Sequence, residues 1–376
     1  MVSINYRFIN QNNKRYMRFI SRIDKIGYKI FNKNKNRIDY SSVKSVAILQ
    51  LAHIGDFILT LPFANLLHQK ISSKIIFVVN STNALLAKKC SFIDDVIEVD
   101  APYFARNKNN NNLFSFVKQL SKINADLIFD LRGDIRNLIS VYFASKYKYL
   151  VGYAEGGCGF LLSKRLDYPW HGHISETFNK LLLEFDINEN PIDYWNKDNI
   201  PYIDCRLKLP KNYLLIHIST AAQARQWPIE NFIELIKKVS KYIHVIVLGV
   251  KNDLTPAQFA DIKYIPNTTV LIGKTNLLES IDIVRKSSYF LGLESAFVHI
   301  AALLGKRVVG IYSGTTNKLR WGPFSLYPDQ IIIIKNKPSC SGEDGCGKLN
   351  CINNICMMQI NIDRVFQAVN EMIEKN

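Results

Sequence analysis

Val46-Ala47-Ile48-Leu49-Gln50-Leu51-Ala52-His53-Ile54-Gly55-Asp56-Phe57-Ile58-Leu59-Thr60-Leu61-Pro62 is the stretch that decides the fold. Its first four residues read as a buried parallel strand, and the apolar spacing through Leu61, Ala64 and Leu67 reads as the helix that follows. The Gly55-Asp56 pair therefore falls at a strand's carboxyl end, beside a helix N-terminus, where α/β enzymes keep their chemistry. A carboxylate there serves either as a general base facing a cleft or as a helix cap, because aspartate is a preferred N-cap residue.

Outward from this unit, apolar runs at 74–79, 127–130, 213–218, 244–248, 289–292 and 307–312 alternate with helical patterns, the signature of parallel α/β domains. A chain of 376 residues exceeds what one core usually serves, so two domains of about 150 residues each are expected. The expected division is a basic extension over 1–43, a first domain over 44–205, a second over 206–337, and a Cys-rich loop with a final helix over 338–376. That helix carries Ile362, Val365, Phe366, Val369 and Ile373 on one face and is expected to pack back across the domain junction. A low-complexity Asn-rich loop, 107–112, is expected to be mobile.

The formal net charge is +16, which favours association with an acidic surface: membrane phosphates, nucleic acid or an anionic glycolipid. Much of the excess lies in the extension, where Arg7, Lys14, Arg15, Arg18, Arg22, Lys25, Lys29, Lys33, Lys35 and Arg37 face only Asp24 and Asp39. Tyr16, Ile20, Ile23, Ile26 and Ile30 recur there at helical spacing, interrupted by Gly27. The segment reads as an amphipathic helix, either lying on an anionic bilayer or packed on the first domain with a solvated basic face. No recognition module accompanies it, so no nucleic-acid partner is expected. No run approaches the ~20 apolar residues of a membrane span, and no signal-peptide core opens the chain. A cytoplasmic protein in contact with the inner face of the cytoplasmic membrane is the expectation, and scattered Cys90, Cys158 and Cys205 fit a reducing compartment.

Further candidate ligand turns follow the same strand-to-helix logic. Asp126 to Asp134 is a strand ending in a polar loop, which would set Asp130, Arg132 and Asp134 at the same sheet edge as Asp56. In the second half stand Ser219-Thr220 through Arg225-Gln226-Trp227-Pro228, then Gly249 to Asp253, then Glu294-Ser295-Ala296-Phe297-Val298-His299. Arg225 reads as a phosphate ligand or as a surface cation ahead of a helix opened by Pro228. The backbone amides of Ser295, Ala296 and Phe297 can cradle a diphosphate. His299 reads equally as a buried neutral histidine or a donor ligand. Asp94-Asp95 resembles a metal pair but precedes an apolar run and is assigned to a turn.

The order of these motifs, completed by Glu294-Ser-Ala-x-x-His299-x-Ala-Ala-x-x-Gly305-Lys306, Gly314-Thr315 and Arg320-Trp321-Gly322-Pro323, resembles the bacterial heptosyltransferases of glycosyltransferase family 9 over roughly 46–323. His173-Ile-Ser-Glu176 and Gly273-Lys274-Thr275 through Leu278 are similar to two further family elements. The resemblance implies a GT-B architecture of two facing doubly wound domains, the first binding acceptor and the second the sugar nucleotide. It further implies inverting transfer of heptose from ADP-heptose to a lipopolysaccharide core, without a cofactor or divalent metal. Under it, Asp56 matches the base, with Gly55, Arg132 and Asp134 on the acceptor side. Ser219, Thr220, Arg225, Glu294, Ser295, Ala296 and His299 match the donor side.

Two departures stand out: Arg225 replaces the family's usual Lys, and Glu294-Ser295-Ala296 replaces Asp-Ser/Thr-Gly, lengthening the acidic arm and adding a methyl group. Cys340, Cys346, Cys351 and Cys356 are close enough in sequence to clamp an ion, although their spacing lacks the Cys-x-x-Cys pairs of zinc ribbons; protein-modifying relatives carry a Cys-bound iron. Loop packing or redox chemistry are the other readings of these thiols. Rival functions remain: transfer of the same sugar to a surface adhesin, a non-catalytic sugar-nucleotide binder, and, on charge alone, a nucleic-acid-binding protein.

Overall fold

The computed structural model describes residues 14–31, 37–103, 112–342 and 345–374. Most of the Asn-rich loop, 107–111, lies outside them. Two compact units divide the chain, Met1–Trp195 and Asn196–Asn376. The junction falls earlier than expected because the stretch after Trp195 is bound by the second unit. Arg285 holds Asp198 at 2.8 Å and donates to the carbonyls of Lys197 and Ile200, and the Cys205 amide donates to Asp282. The basic extension likewise belongs to the first unit and the Cys-rich tail to the second.

The first unit contains β1 (Ser45–Gln50), β2 (Lys74–Val79), β3 (Asp95–Glu98), β4 (Asn124–Asp130), β5 (Lys146–Gly152) and β6 (Lys164–Arg165). Its helices are α1 (Lys14–Phe31), α2 (Ile54–Lys70), α3 (Ser81–Ala87), α4 (Leu113–Leu120), α5 (Ile135–Ala144) and α6 (Glu176–Leu182). The second unit contains β7 (Tyr213–His217), β8 (His244–Leu248), β9 (Thr268–Val270), β10 (Tyr289–Leu293), β11 (Arg307–Tyr312) and β12 (Ile331–Lys335). Its helices are α7 (Ile229–Val239), α8 (Pro256–Lys263), α9 (Leu277–Lys286), α10 (Ala296–Leu303), α11 (Lys318–Trp321), α12 (Ile355–Met358) and α13 (Ile362–Glu374).

Each unit is one parallel sheet. The strand orders are β3-β2-β1-β4-β5-β6 and β12-β11-β10-β7-β8-β9. Read from its own first strand, the second order is the same as the first, so both sheets reverse direction once, between β1 and β4 and between β7 and β10. Strands buried on both faces must be apolar throughout, and Val46 to Leu49 and Leu214 to Ile216 are buried to the last residue. In such sheets the crevice outside the strand ends at the reversal is where ligands bind.

The extension forms α1 and packs on the first unit. Ile20 and Asp24 are buried, Ile23 and Tyr28 lie against the core cluster that also takes Phe116, Leu138 and Phe160, and the Asp24 carboxylate accepts the Cys158 amide at 2.7 Å. Gly27 stands where any side chain would collide with the Phe160 ring, 2.3 Å from its nearest carbon. The glycine that weakens the helix in isolation is what allows it to dock. At the other end of the chain, α13 packs on α7, β10 and β11 within the second unit. Trp227, fully buried, donates its indole N–H to the Ile360 carbonyl at 3.1 Å and ties the tail to that core.

Replacing Gly27 by Leu should displace Phe160 and destabilise the first unit by about 1–3 kcal/mol, seen as an earlier unfolding step in calorimetry; an unchanged thermogram would show that α1 contributes nothing to the unit's stability.

Candidate functional site

In the first unit the site is built on the turn after β1. Asn80 donates to the carbonyls of Leu51 (3.2 Å) and Ala52 (2.7 Å), and Asn83 donates to Ala52 at 3.1 Å. These amides satisfy backbone acceptors that a sharp strand-to-helix turn leaves unpaired. Gln50, the last residue of β1, donates to the Thr60 hydroxyl at 3.0 Å, and Thr60 donates to the Asp56 carbonyl at 2.8 Å. The backbone of Asp56 is thereby fixed to the strand end.

His53, not Asp56, occupies the N-cap position of α2, and its side chain makes no capping bond. Asp56 lies in the first turn of the helix, with Gly55 just ahead of it, both half-buried. The capping reading of Asp56 is overturned by that offset. Among the described residues its carboxylate makes no hydrogen bond or ion pair, and it stands at the positive end of the helix.

Asp130 ends β4, beside β1 at the reversal, and is buried. One carboxylate oxygen accepts the amides of Arg132 (3.0 Å) and Gly133 (3.4 Å); the other has no partner among the described residues. Burial raises its pKa to about 7, against the lowering effect of those two amides. Gly133 has φ of +66°, and a Cβ there would sit 2.9 Å from the Tyr153 backbone, so the loop cannot close this way around another residue. Arg132 stays half-buried in the loop. Asp134 caps α5, accepting the Arg136 amide at 2.9 Å and pairing with its guanidinium at 2.6 Å. Its carboxylate is thus employed by the fold.

In the second unit the three candidate turns meet. Ser219, after β7, bonds Asp253 of the turn after β8, and the Val250 amide donates to both, at 3.0 and 2.7 Å. Thr220 reaches the Glu294 carbonyl at 3.5 Å. Arg225 pairs with Glu294 at 3.1 Å. Glu294 itself is buried and accepts two more bonds, from Thr316 (2.6 Å) and Ser313 (3.2 Å) in the turn after β11. Lys335, at the end of β12, donates to the Thr316 carbonyl, and burial lowers its pKa.

Ser295 is the N-cap of α10, yet its hydroxyl makes no capping bond and is buried without a partner among the described residues. The first amides of α10, at Ala296 and Phe297, lack intrahelical acceptors and point out of the helix end. Phe297 stacks on His217, ring centres 4.2 Å apart. Burial drives the His217 pKa down to about 3, so the ring is neutral at physiological pH. His299 is buried in α10. This end of the sheet therefore offers orphan amides, an unpartnered hydroxyl, one guanidinium and a neutral aromatic stack, a set suited to a nucleoside diphosphate.

Asp94 accepts the Ile75 amide at 2.7 Å and Asp95 opens β3, so that acidic pair serves the fold. Among the described residues the only three acidic, Cys or His side chains close enough to share an ion are Asp204, Cys205 and Asp282, whose carboxylates Lys286 bridges at 2.6 and 2.7 Å. Cys340, Cys346, Cys351 and Cys356 do not gather in such a group. Their loop buttresses the turns after β7 and β11 instead: the Cys346 amide donates to the Gly314 carbonyl at 3.0 Å, Ser341 to the same carbonyl at 2.8 Å, and Asn354 to the carbonyls of Gln223 and Gln226. Asn80, Thr316 and Lys335 escaped sequence reading because each acts through a contact distant in the chain, and Gln50 because its bond to Thr60 forms only once the turn between them is folded.

Residues 113–349 match Glycosyltransferase family 9 (heptosyltransferase). The chain belongs to that family, and its two parallel sheets are the GT-B architecture of a glycosyltransferase. Among individual relatives it is 21% identical to the lipopolysaccharide core heptosyltransferase OpsX of Haemophilus influenzae over 305 residues, 78% of this chain and 85% of OpsX. The fold is similar to that of a family 9 glycosyltransferase from Veillonella parvula (TM-score 0.71, 17% identity, 91% of this chain and all of the other). It is also similar to E. coli heptosyltransferase WaaC solved with ADP (TM-score 0.65, 15% identity, 87% and 99%).

Because its folded pKa is raised, Asp130 contributes stability that is complete at low pH and is lost as pH climbs from about 4 to about 7. Asp130→Asn should therefore flatten the pH dependence of the first unit's stability over that window; an unaltered profile from urea titrations would remove Asp130 as its source.

Proposed function

We propose that this protein is an inverting transferase that moves heptose from ADP-heptose to a lipopolysaccharide core, working at the inner face of the cytoplasmic membrane. The observation that carries the reading is the uncommitted carboxylate of Asp56 at the strand reversal of the first sheet. Asp130, Asp134 and Glu294, the other acids at the two reversals, are each engaged by amides or cations. The named activity of OpsX and the ADP bound by WaaC support the donor and acceptor chosen.

In this mechanism Asp56 takes the proton of the acceptor hydroxyl. The freed oxygen pair forms the new bond to the anomeric carbon on the face opposite the diphosphate, and the old carbon–oxygen bond breaks with its electrons leaving on the diphosphate. Arg225 and the first amides of α10 stabilise that developing charge, which is where electrostatic catalysis gains most. Inversion at the anomeric carbon follows from attack on the opposite face. The chemistry requires no cofactor.

The test is acceptor-dependent ADP release by purified protein given ADP-heptose and heptose-deficient lipopolysaccharide. Asp56→Asn should lower kcat by about 10²–10⁴ with donor affinity unchanged; near-normal turnover would remove Asp56 from the base role. Transfer to an adhesin polypeptide in place of the glycolipid would reassign the acceptor, and donor binding without release on any acceptor would make the chain a binder.

Arg225→Ala should cost about 10²–10³ in kcat/KM for the donor, with Arg225→Lys recovering part of the loss; equal rates in all three proteins would exclude a phosphate role for Arg225.

A further inference from the structure

Helices α1, α4 and α5 lie on one face of the first sheet, since side chains from all three pack into a single core cluster with Ala47, Leu49, Ile76, Val78 and Ile128. Their outer surfaces do not look like those of ordinary solvated helices. Phe19, Ile26 and Ile30 form one ridge along α1, seven and four residues apart, and are 59%, 59% and 66% exposed. Phe114 on α4 and Phe143 on α5 are 78% and 79% exposed. Scattered exposed apolar residues are normal, but large ones repeated on neighbouring helices of one layer mark an interaction surface.

Charge says what kind. Beside the apolar ridge of α1 runs a second stripe, Arg18, Arg22, Lys25 and Lys29, all exposed. The three helices contain one acidic residue, Asp24, and it is buried under Cys158. Lys118 and Arg136 add basic side chains to α4 and α5, Arg136 being held by Asp134. A protein partner of mixed charge would find no cation-binding side chains on these helices. A sheet of phosphates over an apolar interior meets both stripes at once: the basic groups lie at headgroup level and the aromatic and Ile side chains below it.

We infer that this helical layer of the first unit docks on an anionic phospholipid bilayer, with α1 lying in the plane of the interface. The inference deepens the reading of the enzyme as one acting on a lipid-linked acceptor, but it rests on residues that take no part in transfer. It also explains the two faces of α1. Ile20, Asp24 and Gly27 bind the helix to its own unit, leaving the Phe19–Ile26–Ile30 ridge to bind something else. No helix among the described residues is long and apolar enough to cross a membrane, so attachment through this layer is peripheral.

Vesicle co-sedimentation tests it, using phosphatidylcholine alone and phosphatidylcholine with phosphatidylglycerol. The whole protein should bind the anionic vesicles at least about tenfold more tightly than the neutral ones and release in high salt. Separate variants carrying Phe19→Ser, Ile26→Ser and Ile30→Ser together, Arg22→Gln, Lys25→Gln and Lys29→Gln together, or Phe114→Ser with Phe143→Ser should each lose about tenfold in binding. Tyr242→Ser with Tyr264→Ser, exposed on the second unit, should lose none. Undiminished binding in the three layer variants, or equal binding to both vesicle types, would overturn the inference. So would a dimer in light scattering that dissolves in the same variants, because the surface would then be a contact between copies. ADP release on a delipidated, water-soluble acceptor separates the two readings: it should survive in every layer variant, and its absence in the unaltered protein would count against the transferase assignment alone.

Discussion

The adjacency of β1 with β4, repeated by β7 with β10, is the constraint on which the rest of the structure depends. A parallel strand can be followed only by a crossover, and the crossovers of each sheet run outward in both directions from its first strand. The turns leaving the two central strands therefore diverge to opposite faces and open a crevice that no other pair of strands provides. Every side chain argued to carry chemistry hangs from those four strands or the turns after them. Asp56 follows β1 and Asp130 ends β4; Ser219, Arg225, Glu294 and Ser295 follow β7 and β10. One hydrophobic rule, strands apolar on both faces, thus decides where polar residues are permitted to gather.

The two crevices are furnished in opposite ways. In the second unit the acids are satisfied and the donors are exposed: Glu294 is saturated by Arg225, Thr316 and Ser313, while the first amides of α10 stay open. In the first unit one carboxylate, Asp56, stays open, while the backbone around it is held by Gln50, Thr60, Asn80 and Asn83. Holding the main chain through its carbonyls and leaving the carboxylate unbonded combines rigidity with availability, as the base role proposed for Asp56 requires. An acid already paired with an arginine would have fewer free lone pairs to meet a hydroxyl proton.

Much of this was legible in the sequence. The runs 74–79, 244–248 and 307–312 became strands with the boundaries read from their apolar content, because central parallel strands cannot afford polar residues. The strand Lys146–Gly152 was not, since its first half alternates exposed and half-buried residues near the sheet edge and the run resembles any charged surface segment. The three-residue Thr268–Val270 is shorter than any periodicity can register. For Asp56 the sequence could place the residue at a strand-to-helix turn but not choose between cap and base, because that choice depends on where the first helical turn begins, and pattern alone leaves it open by a residue or two. Gly27 was misleading for a related reason: its use is a contact with Phe160, more than a hundred residues away.

The two departures from the family pattern in the second unit are halves of one contact. A glutamate in place of aspartate extends the carboxylate far enough to be held by Thr316 and Ser313 from the neighbouring turn, and it is this carboxylate that grips Arg225. A lysine at 225 would spend its single point charge on that grip. Arginine need not: a guanidinium presents five N–H donors in a planar fork, and pairing with Glu294 occupies one edge while others remain for phosphate oxygens. Among the described residues its Nε has no partner. The longer acid and the wider cation therefore depend on each other, because a buried glutamate without the arginine would be an uncompensated charge, and an arginine without the glutamate would be free to swing away from the crevice.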